Sequence, residues 1–144
     1  RILPEFCQAH PRYERLGIRD LCEQIHGMYK ANDVARVTTE MYLSDMQPAM
    51  KPSDAFAAMA HRDIDRVDID NLEGRVTSVL LTPYPPGIPL LIPGERFNST
   101  IVRYLQFARD FNRKFPGFET DIHGLVQEPA EGGVGFFVDC VRQG

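Results

Sequence analysis

Between Pro11 and Asn32 the apolar positions Leu16, Leu21, Cys22, Ile25, Met28 and Tyr29 include a run at three- and four-residue steps, the signature of one helical stripe. Gly17 and Gly27 weaken that helix without erasing its pattern. Asn32-Asp33 supplies a stop, and Val34 to Met46 is predicted as a second helix that ends before Pro48. Pro52 can open a third helix without losing a needed N–H, with Ser53 and Asp54 in its first turn and His61 near its end. The pattern then changes period. Asp65-Arg66-Val67-Asp68-Ile69-Asp70 alternates polar and apolar as a half-buried strand does, and Leu72-Glu73-Gly74 turns the chain into a second strand from Arg75 to Leu81. Asn98-Ser99-Thr100 offers an N-cap for the clearest helix, in which Ile101, Tyr104, Leu105, Ala108, Phe111 and Phe115 share one face and Pro116-Gly117 ends the run. Ile122 to Val126 reads as a strand, and Gly132-Gly133 separates it from Val134-Gly135-Phe136-Phe137-Val138, giving a closing hairpin. Helices mixed with strands on short turns, without a repeated strand-helix-strand spacing, predict a single α+β domain: a mainly antiparallel sheet with helices packed on it.

Length and composition agree with one domain. The chain has 144 residues, 43% hydrophobic and 25% charged, ordinary values for a globular core of this size. A formal charge of -4 gives no broad positive field for a phosphate backbone, so nucleic acid is not an expected partner. A membrane is not expected either: the longest apolar candidate, Val79 to Ile92, is shorter than the roughly 20 residues a span requires and is interrupted by Pro83, Pro85, Pro86, Gly87 and Pro89. Arg1-Ile2-Leu3-Pro4 carries neither an initiator Met nor a secretory pattern and reads as a cut inside a longer polypeptide. Cys7, Cys22 and Cys140 are an odd, widely spaced set, which fits reduced thiols in a cytoplasm.

The densest feature is Thr82-Pro83-Tyr84-Pro85-Pro86-Gly87-Ile88-Pro89-Leu90-Leu91-Ile92-Pro93-Gly94-Glu95. Each proline fixes φ and removes a donor, so the segment predicts a stiff crossover on the sheet, with Ile88, Leu90 and Ile92 facing inward. Tyr84 and Glu95 are its chemical candidates. A carboxylate beside Pro93-Gly94 suits an ammonium or guanidinium, and equally the N-terminus of the following helix.

Other constellations are thinner. Cys7-x-x-His10 and Cys22-x-x-x-His26 have ligand types and spacings found in zinc sites, but Cys22 falls on an apolar stripe and a domain of this size needs no metal to fold. Asp121 and His123 would share a strand face as a base and its orienter, without an evident nucleophile. Lys30, Lys51 and Lys114 are the only lysines, and none lies in the glycine- and serine-rich surroundings of a cofactor aldimine. No catalytic, cofactor-binding or metal residue is assigned in this chain.

Gly74-Arg75-Val76, the run from Pro83 to Pro89, Pro93-Gly94-Glu95 and Phe115-Pro116-Gly117-Phe118-Glu119-Thr120-Asp121-Ile122-His123-Gly124 together resemble the C-terminal domain of the bacterial lysine, arginine and ornithine decarboxylases. The Phe-Glu-Thr-Asp-Ile-His-Gly form looks most like the inducible lysine enzymes, and Ile18 to His26 and Pro52 to Phe56 align in kind, so the likeness spans nearly all of residues 1–144. The resemblance implies a parent of fold type I that binds pyridoxal phosphate in an upstream domain and forms dimers, often within a decamer. It implies a cytoplasmic carboxy-lyase acting in acid resistance or polyamine supply, with lysine the expected substrate and arginine or ornithine the alternatives. By the same resemblance this domain packs on the cofactor domain, is inactive alone, binds no cofactor itself, and borders the active-site entrance through Tyr84, Pro85, Pro86, Gly87 and Glu95. The alternative is a freestanding small-molecule or protein-binding module built from the same domain, which a cofactor domain upstream of Arg1 would refute.

Overall fold

The protein is described by a computed structural model covering residues 2–84, 87–130 and 133–143. Among the described residues there are five α-helices: α1 (Pro4–Ala9), α2 (Ile18–Ala31), α3 (Val34–Leu43), α4 (Pro52–Ala60) and α5 (Ser99–Lys114). Seven short strands, β1 (Gln47–Pro48), β2 (Ile64–Asp68), β3 (Thr82–Tyr84), β4 (Glu95–Arg96), β5 (Asp121–His123), β6 (Leu125–Ala130) and β7 (Gly133–Val141), form three antiparallel sheets. The central sheet runs β2-β7-β6, flanked by the two-stranded ribbons β1-β4 and β3-β5. This is the α+β, antiparallel architecture that the alternating patterns imply.

Helix α5 organises the core. Asn98 caps it by accepting from the Ile101 N–H at 2.9 Å, and Ile101, Val102, Leu105 and Ala108 bury one face against Leu81, Leu90, Leu91, Ile122, Phe136 and Val138. Its last turns carry Phe111 and Phe115 into a second cluster with Tyr13 and Leu21, against which Phe6, Ile25 and Met28 pack. Tyr13 fixes the junction, its phenol donating to the Pro116 carbonyl at 2.9 Å. The polar face of the central sheet is crossed by Arg66, which bonds Asp139 on the neighbouring strand and reaches Glu128 on the strand beyond.

Several boundaries depart from the periodic reading, each for a local reason. The stripe from Pro11 is not one helix: Pro11–Tyr13 forms a 3₁₀ turn and α2 starts only at Ile18, where the Asp20 carboxylate accepts from the Gly17 N–H at 2.9 Å. Helix α1, which the apolar stripe does not predict, precedes it. Cys22 is exposed; Leu21, one helical step away, is the residue that turns inward. Helix α3 ends at Leu43, short of Met46, because Ser44 is extended and its hydroxyl donates back to the Met41 carbonyl. The strand expected over 65–70 is Ile64–Asp68, since Asp68 accepts from the Asp70 N–H and starts a 3₁₀ turn.

The expected strand from Arg75 to Leu81 does not form. Val76, Thr77 and Leu81 make single bridges to three different partners, Arg96, Cys140 and Leu91. The Thr77 hydroxyl accepts from the Val79 N–H and donates to the Val79 carbonyl, which removes those groups from any ladder. The strand expected over 122–126 is divided at Gly124, whose φ of +89° ends β5 and starts β6. A Cβ there would lie 2.3 Å from the Leu80 carbonyl oxygen, so the close approach of these two segments requires glycine. The closing hairpin is present, with Ala130 opposite Gly133 and β7 extending to Val141.

Candidate functional site

The proline-rich segment is a ledge on the core, but its inward residues differ from those that alternation implies. Leu90 and Leu91 are buried together, whereas Ile88 and Ile92 are 51% and 41% exposed. The backbone explains the change: Leu81 donates to Leu91, and Leu90 donates to Leu81 at 2.7 Å, so both leucines are drawn onto Leu81 while Pro89 and Pro93 have no N–H with which to continue a ladder. Ile88 and Ile92, together with Leu80 and Tyr84, leave apolar surface in water.

The candidate residues fall into different settings. Tyr84 ends β3 with its ring 61% exposed, and Gly87, at φ +82°, lies close enough that a Cβ would sit 3.3 Å from that ring. Pro85 and Pro86 lie outside the described residues. Glu95 is half-buried and its carboxylate accepts from the Ile92 N–H at 2.8 Å, so it closes the Pro93-Gly94 turn. It does not cap α5, a role taken by Asn98. Gly94 supports the same turn: at φ +93° it packs where a Cβ would be 2.5 Å from the Met50 carbonyl oxygen.

The structure joins two features that lie far apart in sequence. Strand β3 pairs with β5 in the register Thr82 with His123, Pro83 with Ile122 and Tyr84 with Asp121. Pro83 and Ile122 are buried beneath the ribbon, so Thr82, Tyr84, Asp121 and His123 occupy its other face. Asp121 Oδ2 lies 3.4 Å from His123 Nε2, and the Tyr84 and His123 rings are 6.4 Å apart at 58°. The Thr82 hydroxyl is shielded from solvent and has no hydrogen-bond partner among the described residues. The signal available in sequence was the matching three-residue alternation of Thr-Pro-Tyr and Asp-Ile-His; their pairing was not.

Support for this ribbon comes from α5. Asn112 accepts from the Thr120 N–H at 2.8 Å and donates to the Thr120 carbonyl at 3.1 Å, fixing the residue that leads into Asp121.

The remaining candidates do not assemble into a reactive centre. Among the described residues no group of three His, Cys, Asp or Glu side chains is placed to hold a metal. His10 packs on the rings of Phe6 and Tyr13, and Cys22 faces solvent. Cys140 is buried, and burial pushes its thiol up to about 12, far from a reactive thiolate. Lys30, Lys51 and Lys114 are all exposed, and none lies in a desolvated pocket that would suit a Schiff-base lysine. The residues of this chain therefore do not fit a pyridoxal phosphate site. A cavity of about 850 Å³ is bordered by Pro4, Cys7, Pro11, Tyr13 and Leu16. The Tyr13 phenol at its border already donates to the Pro116 carbonyl.

Residues 35–142 match the family model described as Orn/Lys/Arg decarboxylase, C-terminal domain. The chain is 42% identical to lysine decarboxylase LdcA of Pseudomonas aeruginosa, over 99% of its own length and 19% of that protein. It is 34% identical to the biodegradative arginine decarboxylase of Escherichia coli, over 86% of its length and 17% of that enzyme. In three dimensions it superposes on solved lysine decarboxylase A from Pseudomonas aeruginosa with a TM-score of 0.87, at 42% identity, covering 94% of this chain and 18% of that one. The chain thus spans about a fifth of the length of the relatives it matches.

Proposed function

Because the chain belongs to the C-terminal domain family of the ornithine/lysine/arginine decarboxylases, we propose that it is the accessory domain of a pyridoxal-phosphate-dependent basic amino-acid decarboxylase, with lysine as substrate. In this reading the domain packs on a cofactor-binding part of the same polypeptide and borders the entrance to its active site. The parent acts in the cytoplasm as an oligomer built from dimers. The cofactor supplies the electron sink for loss of carbon dioxide and belongs wholly to that other part. The residues described here shape and cover the approach to it.

The observation that carries the reading is the exposed apolar edge of the ledge. Leu80, Ile88 and Ile92 stand in water on a segment stiffened by prolines, although Leu90 and Leu91 in the same stretch are fully buried. Burying such side chains against a second surface is worth about 1.5–3 kcal/mol each, enough to hold two domains together. An interface surrounded by a polar rim is the ordinary reason for such a patch.

The test uses the full polypeptide. It should release carbon dioxide from lysine, and the double variant Ile88→Asp/Ile92→Asp should lower that activity and increase protease cleavage between the two parts. A full-length protein that decarboxylates none of lysine, arginine and ornithine would refute the reading.

A further inference from the structure

The face shared by Tyr84, Asp121 and His123 lies beside the exposed apolar edge yet has no part in packing the domain. Asp121 sits directly across the ribbon from Tyr84, which places their Cβ atoms about 5 Å apart. The only ion-pair partner of Asp121 among the described residues is His123, and no Arg or Lys neutralises the carboxylate. In the central sheet Asp65 bonds Arg75 and Arg142, and Asp139 bonds Arg66.

The ribbon is also held in place. Pro83 fixes the backbone of β3, Ile122 anchors β5 in the core, Gly124 meets Leu80 backbone to side-chain-excluding distance, and Asn112 clamps Thr120 on the other side. A carboxylate on a held backbone, next to an aromatic face, is the chemistry that recognises an alkylammonium or a guanidinium, by charge attraction and by contact with the ring.

We propose that Asp121 and Tyr84 form a recognition point for the side-chain cation of the basic amino acid as it approaches the entrance. This rests on the reading of the domain as a border of a decarboxylase active site. The shared chemistry is a primary ammonium or guanidinium on a flexible stem, so lysine, ornithine and arginine are all admitted. Arginine should depend most on Tyr84, because a planar guanidinium stacks on a ring better than a compact ammonium does.

The experiment is steady-state kinetics of the full polypeptide with lysine, ornithine and arginine at several salt concentrations. Asp121→Asn should raise KM for each substrate about threefold, leave kcat within about twofold, and flatten the decline of kcat/KM with salt, because steering by a surface charge is screened by ions. Tyr84→Leu should raise KM for arginine more than for lysine. If the unmodified full chain is active but Asp121→Asn keeps its KM and its salt dependence, the recognition point is refuted and the domain assignment stands. A fall in kcat accompanied by a lower melting temperature would also refute it, by making Asp121 a structural residue. If the full chain acts on none of the three amino acids, the domain assignment falls and takes this inference with it.

Discussion

Asn112 is the residue whose removal most directly tests how the ribbon is held. It lies on the buried face of α5, 8% exposed, and its side-chain amide makes two hydrogen bonds to one residue, accepting from the Thr120 N–H and donating to the Thr120 carbonyl. Asn112→Ala deletes both and leaves two part-buried backbone groups short of partners. At about 1 kcal/mol for each bond, with some access of water to Thr120 limiting the desolvation penalty, the loss should be about 2 kcal/mol. For a domain of this size that corresponds to a fall in melting temperature of roughly 6–8 °C. Asn112→Asp separates the two bonds: the acceptor to the Thr120 N–H survives, while the lost donor leaves a carboxylate oxygen facing the Thr120 carbonyl. Burial beside that oxygen favours the protonated acid, so the folded-state pKa of the introduced group is raised above its unfolded value. The stability of this variant is then highest below about pH 4 and declines as pH rises. Melting of the isolated domain by circular dichroism at acid and neutral pH measures both effects. A shift below about 1 °C for Asn112→Ala, or an Asp variant indifferent to pH, would show that the clamp contributes nothing.

Cys140 and Tyr104 predict an alkaline limit to stability: burial raises the Cys140 thiol from its ordinary 9.0 to about 12 and the Tyr104 phenol from 10.0 to about 12. Both raised values favour the protonated folded state, so stability is complete below about pH 9 and falls between pH 9 and 12; Cys140→Ala should make that fall shallower in denaturant titrations. Gly94→Ala forces a Cβ at φ +93° to within 2.5 Å of the Met50 carbonyl and should cost about 2 kcal/mol or more, read from chemical denaturation. Arg62 is a non-glycine residue at φ +59° just past α4, where the Asp63 N–H closes on the Ala58 carbonyl, and Arg62→Gly should stabilise the domain by up to about 1 kcal/mol. In thiol labelling, Cys22 should react in the native domain and Cys140 only after unfolding.

The long periodic element was legible because its signal is repeated over many residues. Asn98, the Ile101 to Phe115 stripe and Pro116-Gly117 agree on the start, face and end of α5, and the structure places it over Ser99–Lys114. The glycines at 132 and 133 likewise announced the last hairpin. Where the reading failed, a side chain competed for backbone groups that period alone assigns to a helix or a ladder. Thr77 does so with Val79, Asp20 with Gly17, and Ser44 with Met41. In the ledge the failure was of another kind. Alternation assumes a continuous strand, and prolines at 89 and 93 remove that premise, so Leu90 and Leu91 turn inward together and Ile88 and Ile92 remain outside.

The site itself was half legible, and the missing half is a matter of sequence separation. Tyr84 stood out within the ledge, and Asp121 and His123 stood out as alternate residues of one strand, but nothing local links segments 37 positions apart. The link is made by burial. Pro83 and Ile122 each prefer the core to water, and satisfying both brings β3 beside β5 with their polar neighbours forced to the same outer face. The register is then fixed because a slip by one residue would expose Ile122 and bury Asp121 or His123, exchanging a favourable apolar burial for the desolvation of a charged or polar side chain. The chemistry on the outside of the ribbon is therefore positioned by hydrophobic residues on its inside. For that reason Ile122→Ala should disturb Tyr84 and Asp121 together, whereas Asp121→Asn should leave the pairing of the strands intact.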